Sequence, residues 1–542
     1  MRIPINKGYP IWKLERVLVI NKKMERKVGI IGAGISGLLA CKYALAKGYH
    51  PLVFESRSTI GGVWTKTVET TKLQTPKPLY EFSDFPWPSS VETVFPDQNQ
   101  VFDYLKSYAN HFDLLKHIRF NTKVVSIKYE GPSDEEIQSW ALWGGNGNPF
   151  GNMGKWTVTT QDLLSQTIEV MQVEFVVLCL GRFSDLPNMP EFPSGKGPEV
   201  FDGKVMHSMD YAALDYETAR NLVKGKRVTV VGFQKSALDI AMETSIANGV
   251  ERPCTVICRT PHWNVPDYFP WGFPLAYLYL NRFSEFLVHK PGEGLLLSLL
   301  ASLLLPLRWG ISKFVESDIK KKHNLKKFGM VPEHSFLQEM NSCLISTVPQ
   351  GFYENAEKGS IVLKRSPTFS FCKQGVILDD STVGTKEPIK SDVVIFATGF
   401  KGDQKLKDIF ASPKFQDYII GSSHKSVPLY RECIHPRIPQ LAVIGFSESI
   451  ANLYTSELRC RWLFELVDGK FKLPNIQKME KDVLEWDQFM KRSSGKYYRR
   501  SCIGALHIWY NDQLCKDMGL TPNRKKGYWA ELFEPYGPMD YA

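Results

Sequence analysis

A glycine-rich turn directly after an apolar strand constrains the fold of this chain more than any other feature. The segment VGIIGAGISGLLA begins at Val28 and places Gly32, Gly34 and Gly37 in the spacing G-x-G-x-x-G. The first glycine permits a tight turn, the second lets a phosphate approach the backbone, and the third lets helix and strand pack closely. With the strand PLVFE, which ends at Glu55, the turn predicts a β-α-β unit of a parallel sheet.

This first unit is expected to bind a dinucleotide, because the helix that follows the turn would offer free N–H groups to a pyrophosphate. Glu55 lies near the offset of roughly 20 residues at which a carboxylate accepts hydrogen bonds from ribose hydroxyls, and it would repel a 2′-phosphate. The segment GGVW, from Gly61 to Trp64, suits an extended flavin, so the predicted cofactor is FAD. The predicted FAD-binding residues are Gly32, Ala33, Gly34, Ile35, Ser36, Gly37, Glu55, Gly62 and Trp64.

A second, imperfect copy of the pattern, VTVVGFQKSALDIA, begins at Val228. Gly232 takes the first glycine position, but Gln234 takes the second and Ala237 the third. The Cβ atom of Gln234 would limit how closely a phosphate can approach. The lysine and the serine that follow it could offset this with a charge and a hydroxyl group.

Arg259 ends the next strand, CTVICR, at the position where the first unit has a glutamate. An arginine there is suited to pairing with a 2′-phosphate, which favours NADPH over NADH. The two copies therefore predict one flavin site and one nicotinamide site, with a hydride passing between them. The predicted NADPH-binding residues are Gly232, Phe233, Gln234, Lys235, Ser236, Ala237 and Arg259.

The composition of the chain argues against a nucleic-acid site and against a metal site. The chain has 542 residues, a formal charge of +10 and ten cysteines. That length predicts several domains, and the mild basic surplus is scattered as on a solvated surface, so no nucleic-acid site is expected. Cys254 and Cys258 have no second pair or nearby histidine, so no metal site is predicted. Reduced thiols and a cytoplasmic location are expected.

The longest apolar run, GLLLSLLASLLLPL, ends at Leu307 and is interrupted by Pro306. It falls short of the roughly 18 residues that a spanning helix needs. Two interpretations stay open at this point: a buried helix, or a helix that dips into a membrane face through residues 295–307, with Arg308 and Lys313 near the headgroups. The second would place the protein at the surface of the endoplasmic reticulum.

Strand-like and helical patterns alternate along the chain, which predicts an α/β fold with two Rossmann-like domains. The segments EFVVLCLG, ending at Gly181, and SDVVIFATG, ending at Gly399, resemble each other. We therefore expect the chain to leave the first sheet after the former and to re-enter it with the latter. This path would insert the NADPH domain into the FAD domain. The predicted divisions are an N-terminal extension (1–25), the first part of the FAD domain (26–204), the NADPH domain with the apolar insert (205–340), the second part of the FAD domain (341–472) and a C-terminal extension (473–542).

The segment FDGKVMHSMDY fits the pattern F-x-G-x-x-x-H-x-x-x-[YF] through Phe201, Gly203, His207 and Tyr211. With FATGF, from Phe396 to Phe400, and the two glycine turns in the same order, the chain resembles the flavin-containing monooxygenases. The segment ETTKLQTPKPLYEFSDFPWP and the ending EPYGPMDYA resemble the defence-associated plant members, a similarity that implies N-hydroxylation of pipecolate.

The resemblance implies that NADPH reduces FAD, that O₂ adds to the flavin at C4a, and that the hydroperoxide passes its distal oxygen to a small-molecule nucleophile. Gln74 stands where many animal members have Asn, so its amide is expected to hydrogen-bond the hydroperoxide or NADP⁺. S-oxygenation of thioethers and a non-catalytic cofactor-binding regulator remain alternatives. A Baeyer–Villiger reaction is disfavoured, because Tyr211 stands in the signature where a tryptophan would be expected.

Overall fold

The computed structural model contains two five-stranded parallel sheets and two three-stranded antiparallel sheets. It describes residues 26–151, 154–379, 387–421, 426–450, 452–498 and 501–542. The predicted N-terminal extension, residues 1–25, lies outside the described residues. The predicted α/β class with two Rossmann-like units is confirmed.

Strands and helices alternate along much of the chain. The strands are β1 (Lys27–Ile31), β2 (His50–Phe54), β3 (Ile118–Arg119), β4 (Thr122–Glu130), β5 (Lys155–Asp162), β6 (Ile168–Val173), β7 (Phe175–Leu178), β8 (Lys204–His207), β9 (Val228–Val231), β10 (Cys254–Cys258), β11 (Ile361–Arg365), β12 (Phe369–Cys372), β13 (Gly375–Leu378), β14 (Ile389–Lys390), β15 (Val393–Phe396) and β16 (Leu441–Val443).

The α-helices are α1 (Ile35–Ala46), α2 (Gln98–His111), α3 (Asp134–Ser139), α4 (Ser208–Tyr211), α5 (Tyr216–Val223), α6 (Lys235–Asn248), α7 (Ala276–Tyr279), α8 (Arg282–Phe286), α9 (Leu295–Leu303), α10 (Leu305–Lys322), α11 (Phe336–Asn341), α12 (Phe352–Lys358), α13 (Gly402–Asp408), α14 (Pro413–Ile420), α15 (Asn452–Val467), α16 (Ile476–Ser494), α17 (His507–Asp517) and α18 (Tyr528–Phe533).

The first parallel sheet has the strand order β16–β7–β1–β2–β3. Its central strand β1 lies between β2 and β7, with Ile31 opposite both Phe54 and Leu178. Most of the side chains of β1 and all of those of β7 are buried, as in sheets whose two faces are covered. Helix α1 follows the first glycine turn and returns the chain to β2, so the predicted β-α-β unit is present.

The second parallel sheet has the order β11–β10–β9–β15–β8. Strand β15 pairs here with β8 and β9, with Phe396 opposite both His207 and Val231. The predicted boundary after residue 340 is therefore wrong, because β11 and β15 belong to the second sheet. The chain returns to the first sheet only at β16, where Leu441 lies opposite Val176. The prediction that the second unit is inserted into the first agrees with this topology.

The predicted C-terminal extension is an integral part of the first hydrophobic core. Met479 of α16, Leu514 of α17 and Tyr536 near the C-terminus are fully buried together with Trp462 of α15. A segment that looked polar by composition thus buries one apolar face of α16 and of α17, and the core continues to Tyr541.

The apolar run is exposed, so its interpretation as a buried helix is wrong. It forms α9 and the start of α10, two helices that meet at an angle of 49°. Leu295, Leu296 and Leu303 keep 86%, 80% and 77% of their surface in solvent. Among the described helices, no single one is long and apolar enough to cross a membrane, although this bent pair passes the same test of length and composition.

The cysteines also differ from the expectation of reduced thiols throughout. Cys343, just after α11, forms a disulfide with Cys502 near the C-terminus, 159 positions away in sequence. The other eight cysteines are free thiols, and all but Cys372 are buried. The spacing of the two paired cysteines gave no signal, because only tertiary folding brings them together.

Candidate active-site cleft

A cleft of about 2160 Å³, lined by residues of both units, lies at the carboxyl ends of the strands of both parallel sheets. Ordinary small-molecule pockets measure roughly 300–1,000 Å³, so this cleft has room for two extended cofactors. Gly32 and Glu55 line it from the first sheet, and Gly232, Arg259 and Gly399 from the second. Carboxyl ends of parallel strands are where α/β folds bind ligands, so the topology itself selects this location.

The helices after the two glycine turns present uncapped N-termini to the cleft. Gly34 and Gln234 occupy the N-cap positions of α1 and α6, and neither supplies a side-chain hydrogen bond. Asp97 and Asp215 cap α2 and α5 with their side chains, whereas α12 also lacks a side-chain cap but does not begin at a strand end of the cleft. The first backbone N–H groups of α1 and α6 are therefore available to phosphate oxygens.

The first turn has the space that a phosphate requires. A Cβ atom on Gly34 would meet only Gly62, at 3.5 Å, whereas a Cβ atom on Gly37 would lie 1.8 Å from the carbonyl oxygen of Gly32. Gly37 is thus required by the packing of α1 against the turn, and Gly34 leaves an open approach to the backbone. This arrangement fits the pyrophosphate of FAD.

Glu55 holds the first turn in place at the end of β2. Its Oε2 atom accepts a hydrogen bond from the N–H of Ala33 at 2.7 Å, and its Oε1 atom accepts one from the N–H of Arg57 at 3.0 Å. The residue is 6% exposed and lines the cleft. Because an ionised carboxylate has about four acceptor positions, Glu55 can also accept from a ribose hydroxyl.

Arg57 is a site residue that the sequence analysis missed. Its guanidinium donates to the carbonyl oxygen of Gly62 at 2.6 Å and to Oγ1 of Thr65 at 2.8 Å. It therefore fixes the GGVW segment, in which the indole N–H of Trp64 donates to the hydroxyl of Tyr80 at 2.9 Å. Its position two residues after Glu55 was a weak signal, because only the folded turn brings the two segments together.

The structure gives Lys235 a partner other than the phosphate that the sequence suggested. Its Nζ atom lies 2.5 Å from Oδ1 of Asp239, one helical turn later on α6. Oδ2 of Asp239 also accepts from the hydroxyl of Thr71 at 2.7 Å, which ties α6 to the FAD-binding unit. Burial raises the pKa of Asp239, and the ammonium of Lys235 opposes that shift. Ser236 is exposed at the cleft, where its hydroxyl remains available.

Gln234, which replaces the second glycine of the turn, forms a hydrogen bond with a residue of the loop after α11. The side-chain amide of Gln234 donates to the carbonyl oxygen of Leu344 at 3.2 Å. The backbone of Gln234 is extended, with φ −116°, so this position does not require glycine for conformational reasons. Phe233 and Ala237, on either side, are buried.

Two arginines end neighbouring strands on the NADPH side. Arg259 directly follows β10 and is exposed at the cleft, and Arg365 ends β11, where it pairs in register with Cys258. Arg365 also forms an ion pair with Glu333 at 2.6 Å. The sequence analysis found Arg259 and missed Arg365, because the strand order β10–β11 was not visible from the sequence.

Gln74 lies on the cleft wall and is exposed. Its backbone carbonyl accepts a hydrogen bond from the hydroxyl of Tyr268, which holds the Gln74 loop against the second unit. The structure therefore places the amide where a ligand could contact it, and its catalytic role stays a prediction.

His207, the histidine of the F-x-G-x-x-x-H segment, is buried and caps a helix. His207 is 1% exposed, and its Nδ1 atom accepts from the N–H of Met209 at 3.1 Å, which caps α4. Burial lowers the pKa of His207, since it disfavours the charged ring. Tyr211 is also buried and donates to Oε2 of Glu243 on α6 at 2.8 Å. The signature thus connects β8 to the helix of the NADPH turn.

Comparison with known proteins agrees with this architecture. A family model described as flavin-binding monooxygenase-like matches residues 25–528. The chain is 43% identical over 530 residues to probable flavin-containing monooxygenase 1 of Arabidopsis thaliana, covering 96% of this chain and 97% of that protein. It is 28% identical over 516 residues to the N-oxide-forming dimethylaniline monooxygenase 2 of Rattus norvegicus, covering 92% of this chain and 84% of that protein.

Two solved structures share the fold at low sequence identity. The open structure of cyclohexanone monooxygenase aligns with a TM-score of 0.62 and 18% identity over 91% of this chain and 97% of that one. The S-allyl-L-cysteine S-oxygenase of Allium sativum aligns with a TM-score of 0.56 and 17% identity over 92% of this chain and 89% of that one. At such identities the likeness supports the fold alone.

Proposed function

Because the chain belongs to the flavin-binding monooxygenase-like family and is thus an NADPH-dependent flavin monooxygenase, we propose that it N-hydroxylates an amine or amino acid such as pipecolate. One observation carries the chemistry: two dinucleotide turns with opposite charge preference open into the same cleft. Bound FAD supplies the activation of O₂ with electrons from NADPH.

The residues of the chain bind and orient the two cofactors. The N–H groups at the start of α1, with Glu55, would hold the pyrophosphate and ribose of FAD, and Arg57 fixes the GGVW segment through the carbonyl oxygen of Gly62. The start of α6 would hold NADPH, and the guanidinium groups of Arg259 and Arg365, which line the same cleft, would pair with its 2′-phosphate. The role of the chain is thus to bind and orient, and this chemistry requires no nucleophilic triad from its side chains.

The preference for nitrogen rests on relatives and on motifs. The rat relative is named for forming N-oxides, and the plant-type segments resemble members that N-hydroxylate pipecolate. An amine reacts through its lone pair, so the substrate must reach the flavin side of the cleft unprotonated. A thioether presents the same kind of soft lone pair, and S-oxygenation is therefore the competing outcome of the test.

The test is product analysis on the purified full chain. We expect a yellow protein that oxidises NADPH in air, faster when pipecolate is added, and a hydroxylamine product found by mass spectrometry. Trimethylamine and S-allylcysteine serve as comparison substrates. If only the thioether is oxygenated, N-hydroxylation is wrong but the monooxygenase reaction stands. A colourless protein from a riboflavin-replete host would contradict both.

We also propose that α9 and the start of α10 attach the protein to an anionic membrane surface. The exposed leucines form an apolar face, which Trp309, 64% exposed, continues along α10. Lys313 and Lys321 lie on the exposed side of the same helix, and the Nζ atom of Lys321 lies 4.8 Å from the centre of the Trp271 ring. Apolar side chains flanked by amines match the acyl chains and headgroups of such a surface.

The aromatic residues around this face enlarge it. Trp271 and Phe273 are 47% and 46% exposed beside α10, and the indole N–H of Trp271 donates to Oγ of Ser317 at 2.9 Å. Aromatic side chains favour the boundary between lipid and water. A cytoplasmic protein attached by this face would lie at the surface of the endoplasmic reticulum, a location that we propose and that imaging of a fluorescent fusion tests.

A further inference from the structure

A buried carboxylate lies between two imidazole rings in the wall of the cleft. Glu339 of α11 is fully buried, and its Oε1 atom lies 2.9 Å from Nδ1 of His262. Its Oε2 atom contacts Nε2 of His334. The three ligand-type atoms lie within 4.8 Å of one another. We propose that His262, His334 and Glu339 bind a zinc ion, a site that the sequence analysis did not predict.

The charge of this cluster calls for a cation. A buried carboxylate needs a compensating partner, and within the described residues Glu339 forms no ion pair with a lysine or an arginine. The Nδ1 atom of His334 is buried and has no hydrogen-bond partner among those residues. A divalent ion would compensate the carboxylate of Glu339 and bind one nitrogen atom of each ring at the same time.

The three ligands come from two anchored segments, one with His262 and one with His334 and Glu339. The indole N–H of Trp263, next to His262, donates to the carbonyl oxygen of His334 at 2.7 Å, which joins the two histidine loops. Ser335 caps α11 by accepting from the N–H of Gln338 at 3.2 Å, so the turn that carries Glu339 begins directly after His334. Ligands fixed in this way hold their geometry before the ion binds.

The donor set suits zinc. Two imidazole nitrogens and one carboxylate oxygen bind zinc in sites that keep a fourth position open, and because the same set also binds Fe(II), the metal analysis must distinguish the two ions. His262 lines the cleft and follows Arg259 by three residues, so that open position would face the cleft. The ion would connect the loop that carries Arg259 to α11, and so stiffen the NADPH side of the wall.

The experiment measures zinc on the purified, flavin-loaded full chain. After incubation with ZnCl₂ and desalting, mass spectrometry of the metal should give about one zinc per chain. X-ray absorption at the zinc edge should show nitrogen and oxygen neighbours at about 2.0–2.1 Å. His262→Ala, at the edge of the cluster, should lose this zinc while its FAD content and circular dichroism match those of the wild type.

A matched control is available in His289, whose Nδ1 atom lies 2.5 Å from Oε1 of Glu293 and which belongs to no three-ligand group among the residues that the structure describes. His289→Ala should keep the full zinc content and a zinc-dependent rise in Tm, both of which His262→Ala should lose. Equal zinc in wild type and His262→Ala, or no retained zinc in the wild type, would overturn the proposal. Retained iron instead of zinc would overturn the identity of the ion. None of these readouts depends on oxygenase activity.

Discussion

Gly34 and Gly62 face each other across the first glycine turn, where a Cβ atom on Gly34 would stand 3.5 Å from the Cα atom of Gly62. That distance is an ordinary contact, and φ at Gly34 is −74°, which any residue can adopt. The fold by itself therefore tolerates a methyl group at this position. A bound pyrophosphate would not, because it has to approach the same backbone.

The two glycines of this turn should accordingly respond differently to alanine. We expect the flavin-free Gly34→Ala variant to have the same Tm as the flavin-free wild type. Its affinity for FAD should be at least about tenfold weaker, a loss of ~1.4 kcal/mol in binding free energy. Gly37→Ala should lower the Tm of the flavin-free protein by several degrees, since its Cβ atom would lie 1.8 Å from the Gly32 oxygen. Thermal unfolding and flavin titration measure both. Equal Tm losses in the two variants would contradict the assignment.

Arg259→Ala should impair the use of NADPH far more than that of NADH. Loss of a charged hydrogen bond to the 2′-phosphate is expected to raise the KM for NADPH by about 10- to 100-fold, ~1.5–3 kcal/mol. Arg252, exposed at the opposite end of β10, is the matched control, and Arg252→Ala should leave both KM values unchanged. Steady-state kinetics with both nucleotides decides the matter, and equal increases in both KM values would show that Arg259 does not recognise the phosphate.

Gln74→Ala tests whether the cleft amide supports oxygen transfer. If the amide hydrogen-bonds the reactive centre, its loss should leave NADPH oxidation intact but raise the ratio of hydrogen peroxide to product about 2- to 10-fold, ~0.5–1.5 kcal/mol. Peroxide and product are quantified in the same reaction. Gln161→Ala, on strand β5 of a peripheral sheet, is the control. An unchanged ratio in Gln74→Ala would remove this residue from the chemistry.

The exposed leucine face should control membrane attachment. The wild type is expected to co-sediment with vesicles of phosphatidylcholine and phosphatidylserine, less so at high salt. Replacing Leu296 and Leu303 together by Gln should reduce binding at least about tenfold, because each buried leucine contributes ~1.5–3 kcal/mol. Leu484→Gln changes a leucine that is 55% exposed on α16, outside this face, and should bind normally. Similar binding by the double variant and the wild type would refute the proposal.

Several features were predictable because they depend on local spacing. The turns at Gly32 and Gly232 were visible since a strand, a glycine and a helix follow one another within a few residues. The opposite charges of Glu55 and Arg259 were visible for the same reason. Each of these predictions concerns a segment that contacts its own neighbours in sequence.

Other features were beyond any local pattern. The sequence analysis assigned strand β15 to the wrong sheet. An apolar run predicts that a strand is buried, but it does not indicate which strands lie beside it. The sequence left the leucines of α9 open to two interpretations, a buried helix or a membrane-facing one, because apolarity is local, whereas exposure depends on what the rest of the chain covers.

The sequence by itself therefore determined two dinucleotide-type turns and the opposite charges that follow them, since backbone geometry and charge at a turn are set by a few adjacent residues. Only the tertiary structure decided that both units open into one cleft, that Arg57 and Arg365 join it, and that His262, His334 and Glu339 converge in its wall. Those relationships arise from the packing of segments far apart along the chain, which no single segment encodes.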